Sequence, residues 1–403
     1  MKTLTPVHII NPYRAWQAAQ AEGLATVLWR LPRQQTTHLI VNFQPFIPQT
    51  KVNLEELPSG FVLSPFLNLD ADASLFIEAD WYACFDQNNE LIFENTLATT
   101  WIENFQKWQT RIEKRDFTKT DNPKWHSDST LSSISEADYL ATVEAAIAAI
   151  ETGKMQKVVL SRTKTHSLSP DFSVTDAFER LCQSYPNAFV SLVYLPQYNQ
   201  IWLGATPETL VSLDQNGIFR TVSLAGTQSA LDASGQPISP KQAAWTQKEI
   251  EEQAFVSRYI IECFKKIRVR EFIEEGPKTI IAGNLMHLRT DYTVDTKAIA
   301  FPEMASVMLE LLHPTSAVCG MPKFAALEFI RAHEAHSREF YSGFLGPVNI
   351  QNESHLFVNL RCLKIQDHHA TLYAGGGITE DSDPLKEWQE TELKFQTLER
   401  VLG

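Results

Sequence analysis

The order of apolar and polar positions divides the chain into a first region of short strands and a longer second region that mixes strands with helices. In the first region, apolar runs bounded by turn residues predict strands at 25–31, 38–43, 74–85 and 90–93. Residues 101–114 have helical spacing instead. Residues 116–134 are polar and rich in turn residues, so they predict a linker loop between the two regions.

The second region opens with a clear helix signal. Ser135 and Asp138 form a capping pair, apolar residues at helical spacing follow, and Gly153 ends the pattern. Further helices are predicted at 245–267, 324–333 and 384–402. Strands are predicted at 157–165, 189–195, 201–205, 209–213, 219–224, 355–365 and 370–374.

One turn between two of these strands fixes their relative direction. Asn216-Gly217 is a strong hairpin signal between the strands at 209–213 and 219–224. Strands joined by so short a turn must run antiparallel. Hairpins interspersed with helices indicate an α+β fold built from antiparallel sheets, and not a doubly wound parallel sheet.

Composition narrows the classes of partner. The chain has 403 residues and a formal net charge of −13, which argues against nucleic acid as the main ligand, because a phosphate backbone requires basic patches. Five scattered cysteines without a CxxC pair are typical of free thiols in a reducing cytosol. The first residues lack the apolar core of a signal peptide, and no apolar run approaches the roughly 18 residues of a membrane span. We therefore expect a soluble cytoplasmic protein without a membrane or nucleic-acid partner.

Two predicted helices carry carboxylates beside their apolar faces. Glu252 shares the apolar face of the helix at 245–267, where a carboxylate requires a partner or a cation unless it turns outward at the start of the helix. Glu387, Glu390 and Lys394 form a polar stripe on the last helix. Glu390 and Lys394 would make an ordinary exposed i,i+4 pair, whereas a cluster of carboxylates would suit a hard cation such as Mg²⁺. These residues leave both alternatives open.

Three other features are equally ambiguous on their own. Gly375-Gly376-Gly377 lies between a predicted strand and a helix, where it would form a tight turn or bring backbone N–H groups close to an anion. Lys157 begins a strand, where a lysine is commonly a solvated edge residue, but a buried lysine would lose its proton more easily and serve as a base. Glu208 follows Thr-Pro at a strand end, a position typical of a turn residue.

The order of the motifs is more specific than any one of them. The chain carries, in this order, KVVLSR, GATPETL, SLAGT, KEIEEQAFV, MHL, LHPTSAVCGMPK, REFYSGFLG, NLRC, YAGGGI and SDPLKEWQET. Between about 135 and 400 this series resembles the chorismate-utilising enzymes, which include isochorismate, salicylate and aminodeoxychorismate synthases and anthranilate synthase component I. The resemblance implies a single α+β domain of antiparallel sheets packed together and flanked by helices. Residues 1–115 would be its variable N-terminal part, and 135–403 its chorismate-binding core.

The resemblance also implies a reaction. Aminating members have glutamine where this chain has Lys157, and aminodeoxychorismate synthases have a nucleophilic lysine in the segment where this chain has Leu224-Ala225-Gly226-Thr227. The chain thus resembles the water-using branch, which implies reversible, magnesium-dependent conversion of chorismate to isochorismate by water addition at C2 and loss of the C4 hydroxyl.

Alternatives remain within and outside this branch. Salicylate synthase would also eliminate pyruvate, anthranilate synthase component I would use ammonia, and an inactive family member would only bind chorismate. We expect no amidotransferase subunit and a monomer. The sequence leaves open whether the product would serve menaquinone or siderophore biosynthesis.

The resemblance assigns a role to each matching residue. Lys157 would activate the attacking water as a base, and Glu208 would protonate the departing hydroxyl. The implied Mg²⁺ ligands are Glu252 and Glu390, with Glu249 and Glu387 as further or water-mediated carboxylates. The implied substrate-binding residues are Thr227, His287, Tyr341, Arg361, Gly375, Gly376, Gly377 and Lys394.

Overall fold

A computed structural model describes residues 11–67, 73–96, 101–113, 133–232, 236–282 and 285–402. The predicted linker at 116–134 lies almost wholly outside the described residues, which include only its last two positions. Its conformation stays a prediction.

The helices of the described residues include every helix that the sequence predicted. They are α1 (Pro12–Ala21), α2 (Ile102–Glu113), α3 (Glu136–Glu151), α4 (Val174–Ser184), α5 (Gln247–Lys266), α6 (Met304–Leu312), α7 (Lys323–His333) and α8 (Pro384–Leu402). Ser135 caps α3 as expected, because its side chain accepts a hydrogen bond from the N–H of Asp138. The helices α1, α4 and α6 were not predicted. No helix in these ranges is long and apolar enough to cross a membrane.

The strands are mostly short, and several extend beyond their predicted bounds. They are β1 (Thr26–Arg30), β2 (Thr37–Val41), β3 (Gln49–Thr50), β4 (Gly60–Ser64), β5 (Ser74–Glu78), β6 (Trp81–Phe85), β7 (Leu91–Thr96), β8 (Lys157–Ser167), β9 (Phe189–Leu195), β10 (Gln200–Thr206), β11 (Thr209–Leu213), β12 (Ile218–Ser229), β13 (Ile273–Ala282), β14 (Leu285–Asp295), β15 (Gly320–Met321), β16 (Phe344–Val348), β17 (Ser354–Val358), β18 (Cys362–Gln366) and β19 (His369–Ile378). The hairpin at Asn216-Gly217 is confirmed, because β11 and β12 pair antiparallel and Gly217 has a φ of +82°. The β13–β14 hairpin and the strands β3, β4, β15 and β16 were not predicted.

These strands form two antiparallel sheets. The first has ten strands in the order β15-β8-β19-β18-β10-β9-β1-β2-β6-β7, and the second has nine in the order β13-β14-β12-β11-β17-β16-β4-β5-β3. The first third of the chain completes both sheets, because β1 pairs with β9 in one and β4 pairs with β16 in the other. The predicted α+β class with packed antiparallel sheets is confirmed.

Apolar side chains pack on both sides of the sheets. Between the sheets, Trp29 and Phe189 from the first sheet pack against Phe61 and Phe357 from the second. The rings of Phe189 and Phe357 are stacked, with 4.1 Å between their centroids. The helices α1, α2, α4 and α8 cover the outer face of the first sheet. The helices α5 and α6 cover the second. Helices therefore flank a sheet sandwich.

Two predicted strands are in fact two strands each, and their halves belong to different sheets. The segment 74–85 divides at Ala79-Asp80 into β5 and β6, and the segment 355–365 divides before Cys362 into β17 and β18. At the second break Arg361 has a φ of +47°, which turns the chain out of the extended conformation. The chain also changes sheets between β10 and β11, through Pro207-Glu208.

The triple glycine is part of a strand, so the predicted strand end at residue 374 and the alternative of a tight turn there are wrong. β19 continues to Ile378, and Gly375, Gly376 and Gly377 pair with residues 159–161 of β8. The reason is the neighbouring strand, whose hydrogen bonds offset the weak strand preference of glycine.

Candidate active site

A polar cavity lies where chain segments cross from one sheet to the other. Eleven of the fourteen predicted site residues line it: Lys157, Glu208, Thr227, Glu252, His287, Tyr341, Arg361, Gly375, Gly377, Glu390 and Lys394. The remaining three, Gly376, Glu249 and Glu387, lie outside this lining.

Lys157 is the first residue of β8 and is buried in the cavity wall, 2% exposed. The alternative of a solvated edge lysine is therefore wrong. β15 covers the edge of the strand at this point, since Lys157 pairs with Met321. Its Nζ atom lies 3.6 Å from Oε1 of Glu252 on α5. The amine predicted to act as a base thus adjoins a carboxylate predicted to bind metal.

Glu208 does lie on the connection between β10 and β11, but it is 4% exposed, so it is not merely a turn residue at the surface. Its N–H donates to Oγ1 of Thr206 at 3.3 Å, and its carbonyl accepts from the N–H of Val358 at 3.0 Å. Burial raises the pKa of Glu208 to about 7, although the charges of Arg361 and Lys157 oppose the shift. A carboxyl group with this pKa holds a proton that it can donate near neutral pH.

Arg361 provides a cation that the protein itself does not neutralise by contact. Among the described residues, no group accepts a hydrogen bond from its guanidinium. Its φ of +47° is a conformation that residues other than glycine adopt mainly where the surrounding structure enforces it. Tyr341 lines the same cavity, and a Cβ on Gly375 would lie 2.9 Å from its hydroxyl. The two side chains are available to bind an anionic group.

His287 supplies a hydrogen-bond acceptor. Its Nδ1 atom is 2.8 Å from the carbonyl oxygen of Gly226, and since a carbonyl can only accept, Nδ1 carries the proton. Burial, assisted by the charge of Arg361, lowers the pKa of His287 to about 3, so the ring is neutral. Nε2 is buried and has no partner in the described part of the chain. Oγ1 of Thr227 lies 3.4 Å from Nδ1 on the same wall.

Glu390 reaches the cavity from α8 and pairs with Lys394 one turn later. Nζ of Lys394 is 2.6 Å from Oε1 of Glu390 and 2.6 Å from the carbonyl oxygen of Gly375. Burial would raise the pKa of Glu390, but the charge and hydrogen bond of Lys394 outweigh it, and the pKa is lowered. The predicted i,i+4 pair is therefore formed, but it is not an ordinary exposed pair, because Lys394 is 9% exposed.

Glu387 is more deeply buried than Glu390, at 1% exposed. Its Oε1 atom accepts a hydrogen bond from Nζ of Lys248 on α5. Burial raises the pKa of Glu387, with the charge of Lys248 opposing the shift. Its Oε2 atom is buried and has no partner within the described ranges, and it would lie 3.1 Å from a Cβ on Gly376. This oxygen is free for a further ligand.

The four carboxylates predicted for Mg²⁺ do not converge on one point. Glu249 is engaged in the capping box of α5, where its Oε2 atom accepts from the N–H of Thr246 at 2.7 Å. Glu252 and Glu390 line the cavity. Across the described residues, no three His, Cys, Asp or Glu side chains are grouped so that they could hold a metal ion. Magnesium binding stays a prediction.

Lys248 is a charged residue near the site that the sequence reasoning missed. It precedes Glu252 by four residues, a spacing that by itself suggests only an exposed pair. Burial would lower the pKa of Lys248, but Glu387 outweighs it and the pKa is raised. The sequence reasoning also missed the apolar residues of the cavity wall, because nothing but their positions within the motifs pointed to them. These residues include Val159, Leu224, Ala317, Val318 and Leu360.

Comparisons with known proteins agree with this geometry. Residues 72–403 match the model of a family described as chorismate binding enzyme. The chain is 30% identical over 277 residues to isochorismate synthase DhbC of Bacillus subtilis, which covers 66% of this chain and 68% of that protein. It is 30% identical over 267 residues to isochorismate synthase EntC of Escherichia coli K12, covering 65% of this chain and 66% of that one. These matches thus span about two thirds of each relative.

Solved structures share the fold. The menaquinone-specific isochorismate synthase MenF from Escherichia coli superposes with a TM-score of 0.75 at 20% identity, covering 99% of this chain and 93% of that chain. Anthranilate synthase component I from Streptococcus pneumoniae superposes with a TM-score of 0.66 at 18% identity, covering 93% and 92%. The architecture is therefore common to proteins named for different reactions.

Proposed function

Because the chain belongs to the chorismate binding enzyme family, we propose that it is an isochorismate synthase that requires magnesium. The observation that carries the proposal is one cavity that contains both a buried lysine at the start of β8 and a buried glutamic acid between β10 and β11. The two relatives named isochorismate synthases support the choice of reaction.

The proposed reaction moves a hydroxyl group from one ring carbon to another. Lys157 takes a proton from water while the water oxygen bonds to C2. The two ring double bonds shift and the C4–O bond breaks. Glu208 gives its proton to the departing hydroxyl, which leaves as water. Lys157 has gained one proton and Glu208 has lost one, so exchange with solvent restores both. The same steps in reverse make the conversion reversible.

Substrate binding is proposed to use the groups that the protein leaves without partners. Chorismate carries two carboxylates. Arg361 and Tyr341 bind the enolpyruvyl carboxylate, because the guanidinium has no acceptor among the described residues. His287 and Thr227 lie beside the ring, where Nε2 of His287 accepts from a substrate hydroxyl.

Magnesium is proposed to bind at Glu252 and Glu390, with the free Oε2 atom of Glu387 as a further ligand. Carboxylate oxygens are the ligands that Mg²⁺ prefers. Glu252 adjoins Lys157 and Glu390 pairs with Lys394, so these two carboxylates offset positive charge that a dianionic substrate would otherwise meet in the cavity. A bound Mg²⁺ would supply that charge and orient the ring carboxylate. Glu249 could join only if its capping box opened.

The test is incubation of the purified protein with chorismate and Mg²⁺, followed by identification of the products by chromatography. We expect isochorismate, regeneration of chorismate from added isochorismate, arrest by EDTA and recovery with Mg²⁺. Lys157→Ala is expected to lose about 10²- to 10⁴-fold in kcat while it keeps the wild-type fold by circular dichroism.

Other products would contradict the proposal in distinct ways. Salicylate with pyruvate would assign the chain to the salicylate synthases, and ammonia-dependent anthranilate would assign it to the aminating branch. Chorismate binding by calorimetry without turnover would make it a binding module. Full activity in EDTA would refute the metal requirement, and an active Lys157→Ala variant would refute the base.

A further inference from the structure

A buried ion pair lies behind the cavity wall, outside the residues assigned above. Glu334 follows the last residue of α7, and Arg338 comes four residues later. Their side chains are 4% and 3% exposed. Oε1 of Glu334 is 2.5 Å from Nη2 of Arg338, and Oε2 is 2.8 Å from Nε. A buried pair is tolerated only if its remaining donors and acceptors are also satisfied.

The remaining contacts of this pair include main-chain groups of the cavity wall. Arg338 donates through Nη2 to the carbonyl oxygen of Val159 at 2.7 Å, and through Nη1 to that of Val318 at 2.8 Å. Oε1 of Glu334 accepts from the N–H of Ser161 at 2.7 Å and from its hydroxyl at 3.0 Å. Val159 and Val318 both line the cavity.

The side chains of Glu334 and Arg338 continue the hydrogen bonding along one edge of β8 beyond the point where β15 ends. On one side, β8 pairs with β19 through residues 158–167. On the other side, β15 pairs only with Lys157 and Val158, and the N–H of Val159 then donates to the carbonyl of Cys319 at 2.8 Å. The next two groups along this edge are the carbonyl of Val159 and the N–H of Ser161. Arg338 and Glu334 supply the donor and the acceptor that a neighbouring strand would supply.

We propose that Glu334 and Arg338 are positioning residues for Lys157. Lys157 lies two residues before Val159 and on the same face of β8, so a shift of this strand edge moves its amine. The carbonyl of Arg338 also accepts from the N–H of Tyr341 at 2.8 Å. The pair therefore holds β8, residues 317–319 and the Tyr341 turn in one arrangement. The catalytic part of this inference rests on the proposed isochorismate synthase activity, and the structural part does not.

The test compares Arg338→Lys with a matched control, Arg331→Lys. Arg331 is exposed on α7 and lies outside the ion pair. Lysine at 338 keeps the charge, but one ammonium cannot span two carbonyls and a carboxylate as the guanidinium fork does. We expect kcat to fall about 10- to 100-fold, since small misplacement of a reacting group has effects of this size. KM for chorismate should change less than kcat, because the guanidinium of Arg361 is untouched.

A solvent isotope effect separates positioning from loss of folded protein. If the amine of Lys157 is displaced, proton transfer from water becomes slower, and the D₂O effect on kcat increases in Arg338→Lys. Partial unfolding would lower the apparent kcat without changing the ratio of kcat in H₂O to kcat in D₂O. An unchanged kcat in Arg338→Lys would overturn the proposal. A decrease in kcat equal to the fraction of unfolded protein, with an unchanged isotope effect, would overturn it as well.

Hydrogen exchange tests the same arrangement without turnover. We expect faster amide exchange at residues 159–161 and 317–319 in Arg338→Lys and in Glu334→Gln, and wild-type exchange in Arg331→Lys. Unchanged exchange in both variants would overturn the strand-edge role. If exchange responds but the wild-type protein does not convert chorismate, then the proposed function fails and the structural part of the inference stands.

Discussion

Two opposing effects act on the proton of Glu208. Burial favours the neutral acid, while Arg361 and Lys157 favour the carboxylate, and burial is the larger effect. The result is a pKa of about 7 instead of the ordinary 4.5. This group is therefore able to donate a proton near neutrality, and its ionisation also affects the stability of the fold.

Glu208→Gln is expected to make the protein more stable at pH 8 and to leave it nearly unchanged at pH 4. As pH rises from 4.5 to about 7, the unfolded chain loses this proton before the folded protein does. The wild type is therefore destabilised through this window, by up to the order of 3 kcal/mol, and glutamine is not. Thermal unfolding of both proteins at the two pH values measures the effect. An equal difference in Tm at both would contradict it.

The activity of the same variant should move in the opposite direction. Loss of the acid is expected to lower kcat by about 10²- to 10⁴-fold with little change in KM. In the wild type, kcat/KM should fall above about pH 7, because the proton of Glu208 is then lost. A change confined to KM would argue against a proton donor at this position.

Single residues show where sequence reasoning reached its limit. The strand that begins at Lys157 was predictable, but its burial was not, because β15 and β19, which flank it, come from residues 320–321 and 369–378. The pairing of Glu387 with Lys248 could not be predicted either, because it joins α5 and α8, which are far apart in sequence. The resemblance identified most of the residues that line the cavity, whereas Lys248 is identified only by its contact with Glu387 in the fold.

At the scale of elements, β19 shows why the sequence predicted too early an end for this strand. Local preference treats three glycines as a break, whereas here they allow side chains from other elements to approach the strand. A Cβ on Gly375 would lie 2.6 Å from the carbonyl oxygen of Leu160. A Cβ on Gly377 would instead meet the side chains of Lys157 and Glu252. The absence of a side chain at Gly377 thus leaves space for the side chains of Lys157 and Glu252 in the cavity.

Gly377→Ala is expected to affect activity more than stability. The added Cβ would lie 2.8 Å from Cε of Lys157 and 2.5 Å from Oε1 of Glu252, and both are ends of flexible side chains that can move aside. We expect kcat to fall about 100-fold, with about 1–2 kcal/mol lost in unfolding free energy. Gly375→Ala, which meets backbone, should lose more stability. Steady-state kinetics and urea denaturation of both variants measure this, and unchanged kcat in Gly377→Ala would contradict it.

Strand boundaries at the sheet crossings were the second error at this scale. The segments 74–85 and 355–365 contain no strong turn pair, so their apolar runs predicted single strands. The structure breaks each one, because its halves hydrogen bond in different sheets. Arg361 lies on the second of these breaks and lines the cavity, whereas Glu208 lies on a crossing whose flanking strands the sequence did separate.

At the scale of the whole molecule, the class of fold was predictable and the order of strands was not. One hairpin signal sufficed for antiparallel sheets, but the sheet orders depend on pairs such as β1 with β9 and β4 with β16. No local pattern encodes a partner so far away in sequence. The resemblance implied packed sheets, and the structure shows the order of their strands.

Mg²⁺ is expected to raise the Tm of the intact protein. Glu252 lies on α5 and Glu390 on α8, so a bound ion would join two helices in the folded state and not in the unfolded chain. Ligand linkage predicts about 2.7 kcal/mol at a free concentration one hundred times Kd. Thermal scans in EDTA and in increasing MgCl₂ measure the shift. The double variant Glu252→Gln/Glu390→Gln is the control, and an equal shift in that protein would contradict the site.

The way the first third of the chain completes both sheets has a consequence for synthesis on the ribosome. Thr26 pairs with Tyr194, and Gly60 pairs with Val348. The strands β1 and β4 are therefore synthesised long before β9 and β16, with which they pair. Until then their edges are unpaired and can associate with other nascent chains. The yield of active protein in a cell should therefore depend on translation speed and on chaperones that shield these first strands.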